Sequence, residues 1–198
     1  MSREASVERA TAETTVRVTV GLDGTGVSRI ATGIGFFDHL LDQLSRHSGV
    51  DLEVEASGDL VVDEHHTVED VGIMLGRALD EALGDRRGIR RYGEARIPMD
   101  EALATCALDL GGRAWSSITP RPDPLAGASG WLELLPHFLE SVAREGRITL
   151  HLDVAGAASV HHHAEAAMKS FARALRAALE PDPRLAATDV PSTKGALR

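Results

Sequence analysis

His65-His66-Thr67-Val68-Glu69-Asp70 reads as the opening turn of a helix that carries donors for metal ions. Helix positions i and i+4 share a face, with Cβ atoms about 5–6 Å apart, so His65 and Glu69 can hold one ion together. His66 is rotated by about 100° and reaches toward a second ion. The pattern returns later as His161-His162-His163-Ala164-Glu165. One such stretch is an ordinary charged helix start; two of them indicate a duplicated unit built for chemistry.

The duplication extends outward from both stretches. With His65 set on His161, His66 falls on His162, Glu69 on Glu165, Arg77 on Arg173, Leu79 on Leu175 and Leu83 on Leu179. Upstream, His39 matches His137, with Leu41 on Leu139, Asp42 on Glu140, Leu44 on Val142 and Arg46 on Arg144. The first histidine precedes the pair by 26 residues in one half and 24 in the other. In the first half, alternation predicts a strand over 16–22, a tight turn over 23–26 and a second strand over 27–31. A helix over 36–47 follows, then strands over 52–56 and 60–62, then a helix over 65–83 ended by Gly84. After a basic link over 85–91 the second half predicts strands over 102–110 and 113–118 and a Pro- and Gly-rich surface loop over 119–130. A helix over 132–144, a strand over 148–154 and a helix over 161–179 complete it. The expected fold class is α+β: two pseudo-symmetric repeats, about 7–92 and 93–190, each a small β-sheet with helices packed on one face.

Composition narrows the function. The chain of 198 residues is long enough to bury a core without disulfides, and its one cysteine, Cys106, lies in an apolar strand-like run. A single cysteine excludes an intrachain disulfide and fits a reducing, cytoplasmic setting. Residues 1–11 are charged and lack an apolar core of signal-peptide length, and no run approaches 18 apolar residues, so no membrane role is expected. A net charge of −9 argues against general nucleic-acid binding. Nine histidines against one tyrosine and four phenylalanines point to metal.

The candidate ligands are His39, His65, His66 and Glu69, then His137, His161, His162 and Glu165. Eight donors suit two ions with four protein ligands each, leaving positions open for substrate if the ions are six-coordinate. Imidazole with carboxylate is compatible with Mn, Fe, Co or Zn. His47, His151 and His163 have no repeat partner and are expected at the surface or outside the ligand shell. A dinuclear metallohydrolase is an alternative, because paired ions also activate water; it requires a carboxylate bridging both metals. A metal-dependent assembly protein is another.

Thr32-Gly33-Ile34-Gly35-Phe36-Phe37-Asp38-His39, Leu40-Leu41-Asp42-Gln43-Leu44 and the His65–Asp70 stretch resemble the imidazoleglycerol-phosphate dehydratases of histidine biosynthesis. So do Gly88-Ile89-Arg90-Arg91-Tyr92-Gly93, Pro98-Met99-Asp100-Glu101, Asp109-Leu110-Gly111-Gly112-Arg113 and Pro191-Ser192-Thr193-Lys194-Gly195. The motifs run in order over about 9–197. The resemblance implies a ribosomal S5 domain 2-like fold and one dehydratase domain whose tail, 191–198, binds substrate. It implies an enzyme with two Mn ions per active site (other divalent metals being possible) that converts imidazole-glycerol phosphate to imidazole-acetol phosphate and water. It further implies a homo-oligomer of 24 subunits with active sites between them. Three places depart from the family: His163 replaces a bulky apolar residue, Ala158-Ser159-Val160 lacks a frequent Asn, and 121–131 matches poorly.

The chemistry agrees with this resemblance. The proton to be removed is on a carbon that is not acidic, and a metal-bound imidazolate ring would help to expel the hydroxyl. Glu13, at the family's Glu-Thr position, is the candidate base, with Glu69 and Glu165 as further catalytic carboxylates. Arg91, Arg113, Lys169 and Lys194, with Ser192 and Thr193, match the phosphate-binding positions. Gln43, one turn from His39, and Glu13 are expected to touch substrate.

Overall fold

Val16, Val18 and Val20 are fully buried while Thr15 and Arg17, which alternate with them, face outward, so the valine alternation writes one strand with one wet face. In the second half Ala104, Cys106 and Leu108 do the same. The structure is a computed structural model and describes residues 3–120, 130–156 and 158–197. In the first half the elements are β1 (Glu4–Ala10), β2 (Thr14–Gly21), β3 (Ser28–Ala31), α1 (Gly35–Ser48), β4 (Asp51–Gly58) and α2 (His65–Leu83). In the second they are β5 (Tyr92–Met99), β6 (Ala102–Asp109), β7 (Trp115–Thr119), α3 (Trp131–Glu145), β8 (Thr149–Ala155) and α4 (Val160–Leu179). The expected loop at 119–130 falls largely on 121–129, outside the described residues.

Among the described residues the strands form two four-stranded sheets of the same order, β1-β2-β4-β3 and β5-β6-β8-β7. In each, the first three strands are antiparallel and the last runs parallel to its neighbour. The expected α+β class and its two repeats are therefore present. The sequence reading differs in three places. First, β3 does not fold back on β2. It pairs with β4, because α1 joins the two as a helical crossover, which a parallel pair requires. β7, α3 and β8 repeat that unit. Second, β1 and β5 are additional strands. Both lie at sheet edges with a weak inward stripe, and Pro98 is tolerated because β5 is an edge. Third, Leu60, Val61 and Val62 form a turn closed by Val62 N–H donating to Asp59 C=O at 2.7 Å, and Val61 is fully exposed.

Helices α1 and α2 cover the first sheet, and α3 and α4 cover the second. The two helical layers then face each other, α1 packing on α4 and α2 on α3. One continuous core results, with Phe37 of α1 meeting Phe138 of α3 edge-on at 5.2 Å. The α2–α3 contact is close because Gly72 and Gly76 lie on the facing stripe. A Cβ on Gly72 would sit 2.9 Å from Phe138 C=O, and one on Gly76 would sit 2.8 Å from Val142 C=O and Gly146 N. Both obstacles are backbone and cannot rotate away.

Gly76→Ala is therefore expected to destabilise. The helix gains up to about 1 kcal/mol of propensity, but overpacking against fixed backbone costs about 1–3 kcal/mol or more. A lowered thermal midpoint in calorimetry is the expected result; an unchanged or raised midpoint would show that the helices separate freely.

Candidate functional site

The helix interface brings donors of one half to donors of the other. His65 and Glu69, one turn apart at the start of α2, meet His137 of α3, with donor atoms of the three within 4.8 Å of one another. The His65 and His137 rings stack with centroids 4.6 Å apart. His137 Nε2 lies 3.5 Å from Glu69 Oε1 yet is buried without a hydrogen-bond partner. A buried imidazole nitrogen aimed at a carboxylate and left unpaired is costly unless something binds it. The donor set fits a divalent ion.

The second triad joins α1 to α4. Glu165 Oε1 lies 2.7 Å from His161 Nε2 and 2.9 Å from His39 Nε2. Its other oxygen accepts from Lys169 Nζ at 2.6 Å. Burial pushes this carboxyl up, but the hydrogen bonds from Lys169, His39 and Gln43 outweigh it and hold it down at about 2. Gln43 Nε2 is 2.8 Å from His39 Nε2, while its Oε1 is buried without a partner. The triads are not equivalent: position 73 in α2, which matches Lys169, is the apolar Ile73.

His66 and His162 turn away from both triads. The His66 ring stands at 89° to that of His65, and its Nδ1 faces Asp59 Oδ2 at 3.1 Å. The hydrogen bond to Asp59 raises the pKa of His66. His162 Nδ1 is 2.8 Å from Glu101 Oε2, and that hydrogen bond is the main cause holding Glu101 at about 2. Glu13 lies in the turn between β1 and β2, exposed, with Oε2 3.9 Å from His66 Nδ1. Thr11 Oγ1 accepts from the Glu13 and Thr14 N–H groups, and Asp70 accepts from Arg9 and Thr14, tying the turn to α2.

The expected phosphate ligands divide into two groups. Arg91, Arg113, Ser192, Thr193 and Lys194 line one cavity of about 680 Å³. Asp109 grips Arg91 by both oxygens at 2.6 and 2.9 Å, and Arg91 Nη1 donates to Pro191 C=O at 2.8 Å, fastening the tail. Arg113 is left exposed, 3.9 Å from Asp109. Lys169 and Gln43 are not in this cavity; they belong to the second triad. The Arg91 N–H donates to Ala178 C=O near the end of α4, whereas Glu165 lies in its second turn. At 1.5 Å per residue, that separates cavity and triad by about 20 Å along the helix. A single chain therefore keeps the two apart.

Asp59 carried no assignment in the sequence, and Glu101 entered only as the last residue of the Pro98–Glu101 motif, without a role of its own. Beyond that motif, each is an acidic residue in a turn, which is common chemistry for a turn. His163 is buried at 6% exposure rather than at the surface, its pKa lowered by burial; it occupies an inward position of α4 among apolar residues. His151 is exposed and His47 is half-buried.

Comparison with known proteins is consistent across three kinds of evidence. The family model described as imidazoleglycerol-phosphate dehydratase matches residues 32–175. The imidazoleglycerol-phosphate dehydratase of Cereibacter sphaeroides is 54% identical over 196 residues, 98% of this chain and all of that protein. That of Methylibium petroleiphilum is 54% identical over 198 residues, 99% of this chain and 98% of that one. The crystal structure of the Staphylococcus aureus enzyme superimposes with a TM-score of 0.78 at 34% identity, covering 90% of this chain and 99% of that one. The Pyrococcus furiosus structure gives 0.78 at 32% identity, covering 96% and all of the respective chains.

The Glu165 carboxylate gives a pH expectation for protein stripped of divalent ions. Its folded value, about 2, lies below the ordinary 4.5, so its stabilisation is complete above 4.5 and is lost as pH falls toward 2. Glu165→Gln should flatten the acid limb of the stability curve in that window. Equal steepness in both proteins, measured by denaturant midpoint against pH, would show that the ion pair with Lys169 does not form.

Proposed function

This chain belongs to the imidazoleglycerol-phosphate dehydratase family, hydro-lyases of histidine biosynthesis, and from that premise we propose that it is a two-manganese dehydratase of imidazole-glycerol phosphate. The observation that carries the metal reading is the cluster of His65, Glu69 and His137, whose donors lie within 4.8 Å of one another and include a buried His137 nitrogen without a hydrogen bond, matched across the halves by Glu165 beside His39 and His161. His65, Glu69 and His137 would hold one ion, and His39, His161 and Glu165 the other. His66 and His162, turned away from both, would complete the sites of neighbouring subunits. When bound, the ions withdraw electron density from the imidazole ring of the substrate.

The rest of the reaction falls to the chain's own groups. Arg113, Lys194, Ser192 and Thr193 bind the phosphate, Arg91 holding the tail that carries three of them. A ring with a three-carbon phosphate arm is far too short to reach from this cavity to the Glu165 triad of the same chain, about 20 Å away. The cavity of one subunit would thus serve the metals of another, which supports a homo-oligomer with shared sites, in keeping with the 24-subunit shell the resemblance implies. Glu13, free of any strong partner and beside His66, takes the proton from the carbon that keeps its hydroxyl and gives it up to the departing hydroxyl, which leaves as water; the enol left behind tautomerises to imidazole-acetol phosphate. Lys169 keeps Glu165 ionised, and Gln43 presents its unpaired Oε1 to the substrate. The hydrolase alternative needs a carboxylate bridging two ions, whereas Glu69 and Glu165 belong to different triads. No helix among the described residues is long and apolar enough to cross a membrane. From the family's part in amino-acid biosynthesis we place the activity in the cytoplasm.

The test compares formation of imidazole-acetol phosphate with and without Mn, in wild type, Glu13→Gln and His65→Ala. Wild type should carry two ions per chain. Glu13→Gln should keep both ions and lose about 10²–10⁴ in kcat, while His65→Ala loses metal as well as rate. Near wild-type turnover by Glu13→Gln would remove Glu13 from the mechanism; full activity after verified metal removal would remove the ions.

A further inference from the structure

The two outward histidines face the same physical problem. A neutral imidazole binds a metal through one nitrogen only while the other carries the proton, and the hydrogen bond made by the other selects the tautomer. An unrestrained ring on an exposed helix start samples both tautomers and several rotamers. His66 and His162 are each half-exposed at such a start.

Each is nevertheless restrained by a carboxylate at the same atom. Asp59 places both oxygens against His66 Nδ1, at 3.1 and 3.3 Å. Glu101 places Oε2 against His162 Nδ1 at 2.8 Å and uses Oε1 to accept from Ser159 N–H at 2.9 Å. Ser159 in turn caps α4, its hydroxyl accepting from the His162 N–H. The two carboxylates come from unrelated places: Asp59 follows β4, whereas Glu101 lies in the hairpin turn between β5 and β6. The position that matches Asp59 in the second half is Ala155. The duplication therefore did not copy the Asp59 contact; in the first half the turn equivalent to that of Glu101 carries Glu13, which stands farther off, 3.9 Å from His66 Nδ1. In both cases Nδ1 is committed and Nε2 is left without a hydrogen bond among the described residues; the nearest acid to His162 Nε2 is Asp100 at 3.8 Å.

We propose that Asp59 and Glu101 are positioning residues that hold the proton of His66 and His162 on Nδ1 and present Nε2 outward as a metal donor. This rests on the reading that both histidines ligate ions at neighbouring subunits. Neither carboxylate is a catalytic residue: each acts through its histidine.

The experiment is a Mn titration of the assembled full-length protein by calorimetry, with bound ions counted by elemental analysis. Wild type should take up two ions per chain. Asp59→Ala and Glu101→Ala should each weaken one class of site by about 10–100-fold, leaving the other class and the helical circular dichroism unchanged. Asp59→Asn should restore near wild-type affinity, because its amide oxygen still accepts from Nδ1–H; a merely structural carboxylate predicts no selective loss of one ion. Wild-type affinity in both alanine variants, beside two ions in wild type, overturns the positioning role alone. Asp59→Asn as weak as Asp59→Ala overturns it too, in favour of a charge effect. A wild type that takes up no ion overturns both this inference and the metal reading beneath it.

Discussion

Everything in this molecule depends on two helix contacts across its halves, α1 on α4 and α2 on α3. Each sheet holds its own hairpin and crossover, but neither sheet can bury the outer faces of its helices alone. Joining them back to back closes one apolar core around Phe37 and Phe138. The same contact sets His39 beside Glu165 and His137 beside Glu69. Packing and chemistry are thus the same event: the force that buries aliphatic surface also places the polar donors. The absence of side chains at Gly72 and Gly76 is what lets α3 come near enough.

The sequence revealed the parts that local periodicity controls. The HHxxE stretches, the helix limits at His65–Leu83 and the doubling of the unit could all be read by counting. Long-range pairing could not. His39 and His65 stand in the same half of the sequence, yet they belong to different triads, because the donors meet across the interface between the halves. The strand β3 looked like a hairpin partner for β2, since nothing in four residues distinguishes an antiparallel neighbour from a parallel one; the crossover α1 decides it. β1 and β5 escaped notice because an edge strand buries little on its inner face. Asp59 and Glu101 were hidden for another reason. A carboxylate in a turn gains its role only from the ring it faces, and the sequence does not show what a turn faces.

The halves also differ where their chemistry differs. Glu165 is nearly buried, tied to Lys169, and held ionised; Glu69 is more open, with Ile73 where the lysine would be. The cationic cavity built by Arg91, Arg113 and the tail lies by the C-terminal end of α4. An originally twofold arrangement has thus acquired direction: Lys169 donates to Glu165 at 2.6 Å, whereas the nearest cation to Glu69 among the described residues is Arg144 at 4.0 Å.

That each triad draws donors from both halves has a consequence for how such a chain arose. A single repeat, translated alone, would own a histidine from its first helix and a His-Glu pair from its second, but no triad. Only two copies docked about a twofold axis would form the pair of clusters seen here. The ancestor consistent with this architecture is therefore a homodimer of half-length chains. Joining two such copies in one chain replaces an encounter between two molecules by a tethered one, making the partner's effective concentration independent of expression level. Once fused, the two copies were free to diverge, and Lys169 opposite Ile73 is a trace of that freedom.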